Sequence, residues 1–344
     1  MDWKTHSREW LAIFAITFIL LVLTQSRMPA LSWEPASTPQ AYLPVMLKLS
    51  TPTPTATITP TPTTIVTPPP SDWLSYVNWL RSLGGLPALT ENTSWSSGGE
   101  DHAKYMVKND YIGHDEDRAN PWYTQAGHDA AGASDVMVSS YTGATDIDAI
   151  DLWMSGPFHA LGIIDPALIT TGFGSYREAD GGWEMGACLD VIRGLESVPP
   201  SITFPVMWPG SGGTIPYTGF YGGEWPDPLT SCPGYAAPSG PPVFLQIGSG
   251  NQVPNVTGHS FKQGGTSLEH CVFDETNYTN PDSSAQGLGR SVLNMRDAIV
   301  LMPRNPLNAG ITYTISITNS GTIYTWSFTV TGTHILAAPN SEVR

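Results

Sequence analysis

The chain has 344 residues, of which 40% are hydrophobic and 13% are charged, and its net charge is −15. This length allows two domains with sizeable cores, and the 34 glycines and 31 prolines favour a turn-rich fold over long solvated helices. A surface this acidic repels phosphate backbones, so we expect no nucleic-acid partner.

The N-terminus resembles an export signal. Lys4 and Arg8 precede an apolar run from Leu11 to Leu23 that only Thr17 interrupts. The uncharged stretch is 17 residues long, which is short for a membrane-spanning helix of about 20 residues and suits the apolar region of a signal peptide. Residues 1–30 are therefore interpreted as either a cleaved signal peptide or an uncleaved membrane anchor. Either alternative places the remainder outside the cytoplasm, secreted or anchored at the cell surface.

Residues 31–70 are interpreted as a Thr/Pro-rich linker. Positions 51–70 alone contain nine threonines and seven prolines. Proline fixes φ and lacks a backbone donor, so this stretch cannot join a helix or a sheet. We expect an extended, polyproline-like spacer.

The first folded domain is assigned to residues 71–196. Apolar residues at helical spacing follow a capping Asp72. The predicted helices are one that begins near Trp73, one from about Ser94 to Lys108, and one from about Ala144 to Ser155. Two strands follow, at Ile169–Tyr176 and Trp183–Ile192, joined by a glycine-rich hairpin turn. Helices followed by an antiparallel hairpin indicate an α+β fold.

Four segments of this domain carry a family resemblance. They are DHAKYMVKNDYIGH at 101–114, LWMSGPFHALGIIDP at 152–166, TGFGSY at 171–176 and GGWEMGACLDV at 181–191. Their order and spacing resemble the CAP superfamily (cysteine-rich secretory, pathogenesis-related and SCP-like proteins), in particular its bacterial members. The resemblance implies a CAP-type α-β-α sandwich.

The resemblance also implies a cleft with two histidines, which correspond to His114 and His159. CAP domains can bind a divalent metal between two such histidines and two acidic residues. Zn²⁺ or a similar cation suits imidazole ligands, although the sequence makes no cofactor certain. His102 and Trp153 are further candidates for ligand contacts in the same cleft.

The acidic residues of the cleft are where the chain departs from the family pattern. Asp135 is the only carboxylate near the first expected position, and Gly156 occupies the second. Glu116, two residues after His114, is a candidate substitute, although an Asp-Glu-Asp run is commonly a solvated loop. Glu116 and Asp135 are the weak candidates for a catalytic base. The other chemistry-bearing side chain, Cys188, is expected to be a buried, unreactive thiol.

The second folded domain is assigned to residues 198–332, followed by a C-terminal tail at 333–344. Short strands between turns predict a separate, all-β, Ig-like sandwich. The predicted strands are Ile202–Trp208, Val243–Ile247, Leu268–Phe273, Ala298–Met302, Thr312–Thr318 and Ile323–Val330. Cys232 and Cys271 are candidates for a disulfide, and Glu224 is one of a few scattered carboxylates without a constellation.

Three functions remain open at this point. The first is a binding or cell-surface module whose cleft takes a small molecule, a lipid or a cell-wall fragment. The second is a divalent-metal-dependent hydrolase of extracellular peptide or glycan. The third is a purely architectural surface protein. The sequence leaves the oligomeric state open.

Overall fold

The structure is a computed structural model that describes residues 72–334 and 341–343. The predicted signal peptide or anchor and the Thr/Pro-rich linker lie outside the described residues. All of the described residues belong to one compact unit, residues 54–344. Within the described ranges, no helix is long and apolar enough to cross a membrane.

Five helices form in the N-terminal part, by which we mean residues 72–196. They are α1 (Trp73–Ser82), α2 (Thr93–Lys108), α3 (Gln125–Ala131), α4 (Asp146–Ser155) and α5 (Pro157–Ile163). The side chains of Asp72, Asn92 and Thr145 accept backbone N–H groups at the starts of α1, α2 and α4, which satisfies donors that the first turn leaves without partners. These three helices confirm the sequence prediction, whereas the seven-residue α3 and α5 were not predicted.

Five strands accompany these helices. They are β1 (Thr90–Glu91), β2 (Ser134–Ser139), β3 (Thr170–Thr171), β4 (Phe173–Arg177) and β5 (Met185–Asp190). The antiparallel β4–β5 pair is the predicted hairpin, and β2 pairs with the other side of β5. Gly174 lets α2 lie directly on this sheet, because a Cβ there would come within 2.0 Å of a backbone nitrogen of α2. The α+β class is confirmed.

The C-terminal part, residues 198–334, contains two sheets. Its strands are β6 (Val206–Trp208), β7 (Gly213–Tyr217), β8 (Val243–Gln246), β9 (Val256–Gln263), β10 (Thr266–Ser267), β11 (His270–Phe273), β12 (Ala298–Pro303), β13 (Thr312–Asn319) and β14 (Thr322–His334). One sheet has the order β10-β9-β13-β14-β7 and the other β11-β12-β8-β6. A helix, α6 (Ser283–Asn294), and strands β7, β9 and β10 were not predicted. The Ig-like assignment stays a prediction.

The two parts share one hydrophobic core. A single cluster of buried residues includes Leu80 and Trp153 of the N-terminal part together with Trp208 and Phe244 of the C-terminal part. The predicted domain boundary near residue 198 stays a prediction, because this core continues across it.

Polar groups cross between the parts as well. The Trp208 indole N–H donates to the Leu80 carbonyl at 2.8 Å, and the Gln246 amide donates to the Ile164 carbonyl at 3.2 Å. The Tyr217 hydroxyl donates to Asp151 at 2.9 Å. These bonds satisfy buried polar atoms, so they fix the C-terminal part in one arrangement on α1, α4 and the end of α5.

A further strand, β15 (Ser341–Val343), pairs antiparallel with β2 and extends the sheet of the N-terminal part. The order of that sheet is β15-β2-β5-β4. The segment predicted only as a tail therefore contributes a strand.

The cysteines follow the sequence expectations. Cys232 and Cys271 form a disulfide with a Cα–Cα distance of 5.5 Å. Cys188 is free and fully buried. Burial raises the pKa of its thiol well above the ordinary value, so the thiol is unreactive in this environment.

Candidate functional site

His159 lies in the first turn of α5, a helix whose N-cap position is Gly156 and therefore has no side-chain cap of its own. Glu224, from the C-terminal part, supplies the missing acceptor. Its Oε1 accepts the backbone N–H groups of Phe158 and His159 at 2.8 and 3.1 Å, and it lies 3.1 Å from Nδ1 of the His159 imidazole. The carboxylate therefore caps the helix and holds the ring at the same time.

Gly156 makes room for that carboxylate. A Cβ at Gly156 would lie 2.5 to 2.8 Å from the carboxyl atoms of Glu224. Position 156 is also where the family resemblance expects an acidic residue. The acidic group is thus present at this place in the fold, but it reaches His159 from residue 224.

Sequence reasoning missed Glu224 because no local pattern connects it to His159, 65 residues earlier. The one local signal is the pair Gly222 and Gly223, which precedes Glu224 directly. Both glycines have positive φ values, 93° and 87°, a conformation that other residues rarely adopt. They mark a turn, although they do not reveal what the turn presents.

Asp135 joins this buried region from strand β2. The side chain is 8% exposed, and its Oδ2 has no hydrogen-bond partner among the described residues. Burial raises the pKa of Asp135 from 3.8 to about 7, against the opposing effect of the positive charges of His159 and Arg296. Arg296, on the C-terminal part, lies 3.0 Å from Asp165 through its Nε.

Glu224 responds to the same surroundings. Burial raises the pKa of its carboxyl, while His159 and the helix N–H groups oppose the rise. The carboxyl groups of Asp135 and Glu224 therefore lie in one desolvated region. The charge of His159 opposes the rise in pKa of both groups.

His114, the other predicted cleft histidine, lies in the loop after α2 and is exposed. Its Nδ1 is 3.0 Å from the carbonyl oxygen of Ala131. Since a carbonyl only accepts, Nδ1 carries the proton. The described contacts thus place His114 beside α3 and His159 beside Glu224, and the two-histidine cleft stays a prediction.

His102 and Glu116 form a separate buried pair. The Nδ1 of His102 lies 2.9 Å from Oε1 of Glu116, and its Nε2 lies 2.9 Å from the Gly113 carbonyl. The backbone N–H of Thr124 donates to the other carboxyl oxygen. The solvated loop expected for the acidic run is therefore wrong at Glu116, whose contacts fasten the 109–124 loop to α2.

These contacts bear on two predicted roles. The side chains of His102 and Glu116 are both 0% exposed, so neither reaches a ligand or a substrate in this structure. Trp153 is also fully buried, and its indole N–H donates to the Val136 carbonyl at 3.3 Å. These positions do not support the predicted ligand contacts of His102 and Trp153 or the predicted role of Glu116 as a base.

In the described part of the chain, no group of three or more His, Cys, Asp or Glu side chains is arranged to hold a metal ion. The Nδ1 atom of His159 already faces Glu224, and Glu116 is paired with His102. We therefore derive no chemical step through a metal at this site.

An open groove of about 450 Å³ lies elsewhere on the N-terminal part. Its polar lining consists of three carboxylates and several hydroxyls: Glu91, Glu100, Asp146, Thr93, Ser96, Ser97 and Ser175. The rings of Trp73 and Phe173 also line it and stack with centroids 5.4 Å apart. Arg177 pairs with Asp146, and none of the predicted site residues lines the groove.

The comparison with protein-family models agrees with the family resemblance. No curated protein matches the chain. A search of solved structures matches the chain to an extracellular protein containing a SCP domain from Bacillus anthracis str. Ames. The two chains share 16% sequence identity, and the TM-score is 0.27. The match covers 34% of this chain and 38% of that chain, well under half of the solved protein, so it carries no argument. The family model described as CAP, cysteine-rich secretory protein family, matches residues 74–188. The chain therefore contains a CAP domain over residues 74–188.

Proposed function

We propose that this protein is an extracytoplasmic binding module that acts through its CAP domain and performs no hydrolysis. The observation that supports this most is the pairing of His159 with Glu224. That imidazole is buried against a carboxylate from the C-terminal part, so it serves a structural role.

Two features support the extracytoplasmic location. The apolar run Leu11–Leu23 followed by a Thr/Pro tract is typical of an exported or anchored chain with a stalk. The disulfide between Cys232 and Cys271 is also of the kind that persists in oxidising compartments.

The groove on the CAP domain is the proposed binding surface. Its carboxylates and hydroxyls can accept and donate hydrogen bonds to sugar hydroxyls, and Trp73 presents an aromatic ring next to them. With Asp146 balanced by Arg177, Glu91 and Glu100 leave the groove acidic. A glycan that carries amino groups therefore fits better than an acidic glycan.

The proposal is tested with two probes of the same backbone, a chitooligosaccharide and its deacetylated, cationic counterpart. Calorimetric titration of the full chain should show tighter binding of the cationic oligomer. Glu100→Gln should weaken that binding by about tenfold. Glu196→Gln removes an equal charge at an exposed position outside the groove, so it should leave binding unchanged.

Two outcomes would overturn the proposal. Equal loss of binding in both variants would show that only the net charge of the protein matters and would exclude the groove as the binding surface. Release of shortened oligomers, followed by chromatography, would show that the protein is a hydrolase.

A further inference from the structure

Two histidines of the C-terminal part face each other across its two sheets. His259 is on β9 of the five-stranded sheet, and His270 begins β11 of the four-stranded sheet. The Nδ1 of His259 and the Nε2 of His270 are 2.8 Å apart, and the ring planes are at 84°. Neither residue belongs to the CAP domain or to the groove.

The protonation of the pair follows from a third contact. The Nδ1 of His270 lies 2.8 Å from the carbonyl oxygen of Leu268. Because a carbonyl oxygen only accepts, Nδ1 of His270 carries a proton, and in the neutral ring Nε2 presents a lone pair to His259. An imidazole whose far nitrogen donates to a carbonyl is in the form that metal-binding histidines usually adopt.

Both histidines are held by their strands and remain accessible. β11 pairs with β12, and its second residue, Cys271, is bonded to Cys232. β9 pairs with β13 along its length. His259 is exposed and His270 is half-buried, so a cation from solvent can reach the facing nitrogens without unfolding either sheet.

We propose that His259 and His270 form a two-imidazole site for a divalent transition-metal cation of the Zn²⁺ class, with water as the remaining ligands. Imidazole nitrogen is a preferred ligand of such cations. With metal–nitrogen distances of about 2.0–2.1 Å, a tetrahedral cation separates its two ligand nitrogens by about 3.3 Å. The pair needs to open by only about 0.5 Å from its present separation.

Binding requires no net release of protons. The neutral His259 ring exchanges its Nδ1 proton for one on Nε2 through water, so Nδ1 gains a lone pair for the metal. The net charge of −15 concentrates cations near the surface.

The test is calorimetric titration of ZnCl₂ into the untagged full chain, with MgCl₂ as a comparison. We expect one Zn²⁺ per chain with micromolar affinity and no Mg²⁺ binding. His259→Ala should weaken Zn²⁺ binding at least tenfold. Because His259 is exposed, this variant should keep the thermal midpoint of the metal-free protein.

A second variant separates this site from the CAP histidines. The double substitution His114→Ala with His159→Ala should leave the Zn²⁺ affinity within twofold of the wild-type value. The proposal is wrong if the wild-type chain binds no Zn²⁺, if His259→Ala binds as tightly as the wild type, or if binding is lost in the double variant instead.

Discussion

Glu224 and Gly156 show how one carboxylate position can be filled from a distant segment. Glu224 accepts two helix N–H groups and contacts His159, and Gly156 leaves the space that its carboxyl group occupies. Each residue therefore depends on the other, and the dependence is measurable as a coupling energy.

Gly156→Ala should lower the free energy of unfolding by roughly 1–3 kcal/mol, because its Cβ would press on the Glu224 carboxyl. Glu224→Ala should lower it by about 3 kcal/mol, since it removes a buried partner and a helix cap. In the double variant the alanine at 156 should be tolerated far better than in the wild-type background. Denaturant unfolding of the four proteins measures the coupling.

Additive effects in that cycle would contradict the close approach of the two residues. Glu196→Ala, at an exposed position, is the control and should change stability by no more than about 0.5 kcal/mol.

Asp135 gives a second prediction at the residue scale. Its pKa in the folded protein is about 7, against an ordinary value of 3.8. Between these values the folded state keeps a proton that the unfolded state has lost, so this residue's contribution to stability falls as pH rises. From pH 5 to pH 8 the loss should be roughly 2–3 kcal/mol.

Asp135→Asn removes the titrating group and keeps the shape. Thermal and denaturant unfolding across this pH range should therefore show a flatter stability profile for the variant than for the wild-type protein. Parallel profiles would contradict the raised pKa.

At this scale the sequence indicated His114, His159 and Asp135 through the family pattern, and it indicated Cys188 as a buried thiol. It could not reveal Glu224, because contact with His159 depends on how the C-terminal part folds back. It also could not show that Glu116 turns inward to His102, since an acidic run is read as solvated unless its partner is known.

At the scale of elements, a helix could be predicted where the sequence carries both a capping side chain and apolar residues at helical spacing. Helices α1, α2 and α4 carry both a capping side chain and a repeated apolar face, so they were found. Helix α6 is rich in Ser and Gly. Its buried face consists of Ala285, Gly289 and Leu293, which are spaced four residues apart. No helix was predicted over these residues, and tertiary packing forms one there.

The disulfide is the element-scale feature with the clearest test. It joins the end of the 3₁₀ turn at Pro228–Ser231 to strand β11, and the two cysteines are 39 residues apart in the sequence. Loop closure of this length should stabilise the fold by about 4 kcal/mol on the chain-entropy model. Cys232→Ser with Cys271→Ser should lower the unfolding free energy by about that amount, and Cys188→Ala, which puts no new polar group into the core, serves as the cysteine-removal control with an intact disulfide. An unchanged midpoint in the double variant would contradict the expectation.

For the whole molecule, the shared core has a thermodynamic consequence. Trp208 contacts the carbonyl of Leu80, and Arg296 pairs with Asp165 across the same boundary. We expect the two parts to unfold in one cooperative transition, because either part alone would expose core surface. Scanning calorimetry should give equal calorimetric and van't Hoff enthalpies, and two resolved transitions would show instead that the predicted domains are independent.

The α+β class was predictable at this scale because helices and a hairpin follow each other in the sequence. The shared core was not, because composition changes after Pro199-Pro200 in the way that a domain boundary does. Polar crossings such as Gln246 to Ile164 leave no trace in either local sequence.

Strand β15 bears on how copies of this protein behave towards each other. An uncovered edge strand offers a row of free backbone donors and acceptors to any neighbouring chain. Residues 341–343 occupy that edge on β2, so a second molecule cannot pair with β2 there, and the sheet ends instead at the three-residue strand β15. A very short edge strand is a poor template for strand addition, so this segment, which the sequence presents as a tail, should lower the tendency of the sheet to aggregate edge to edge.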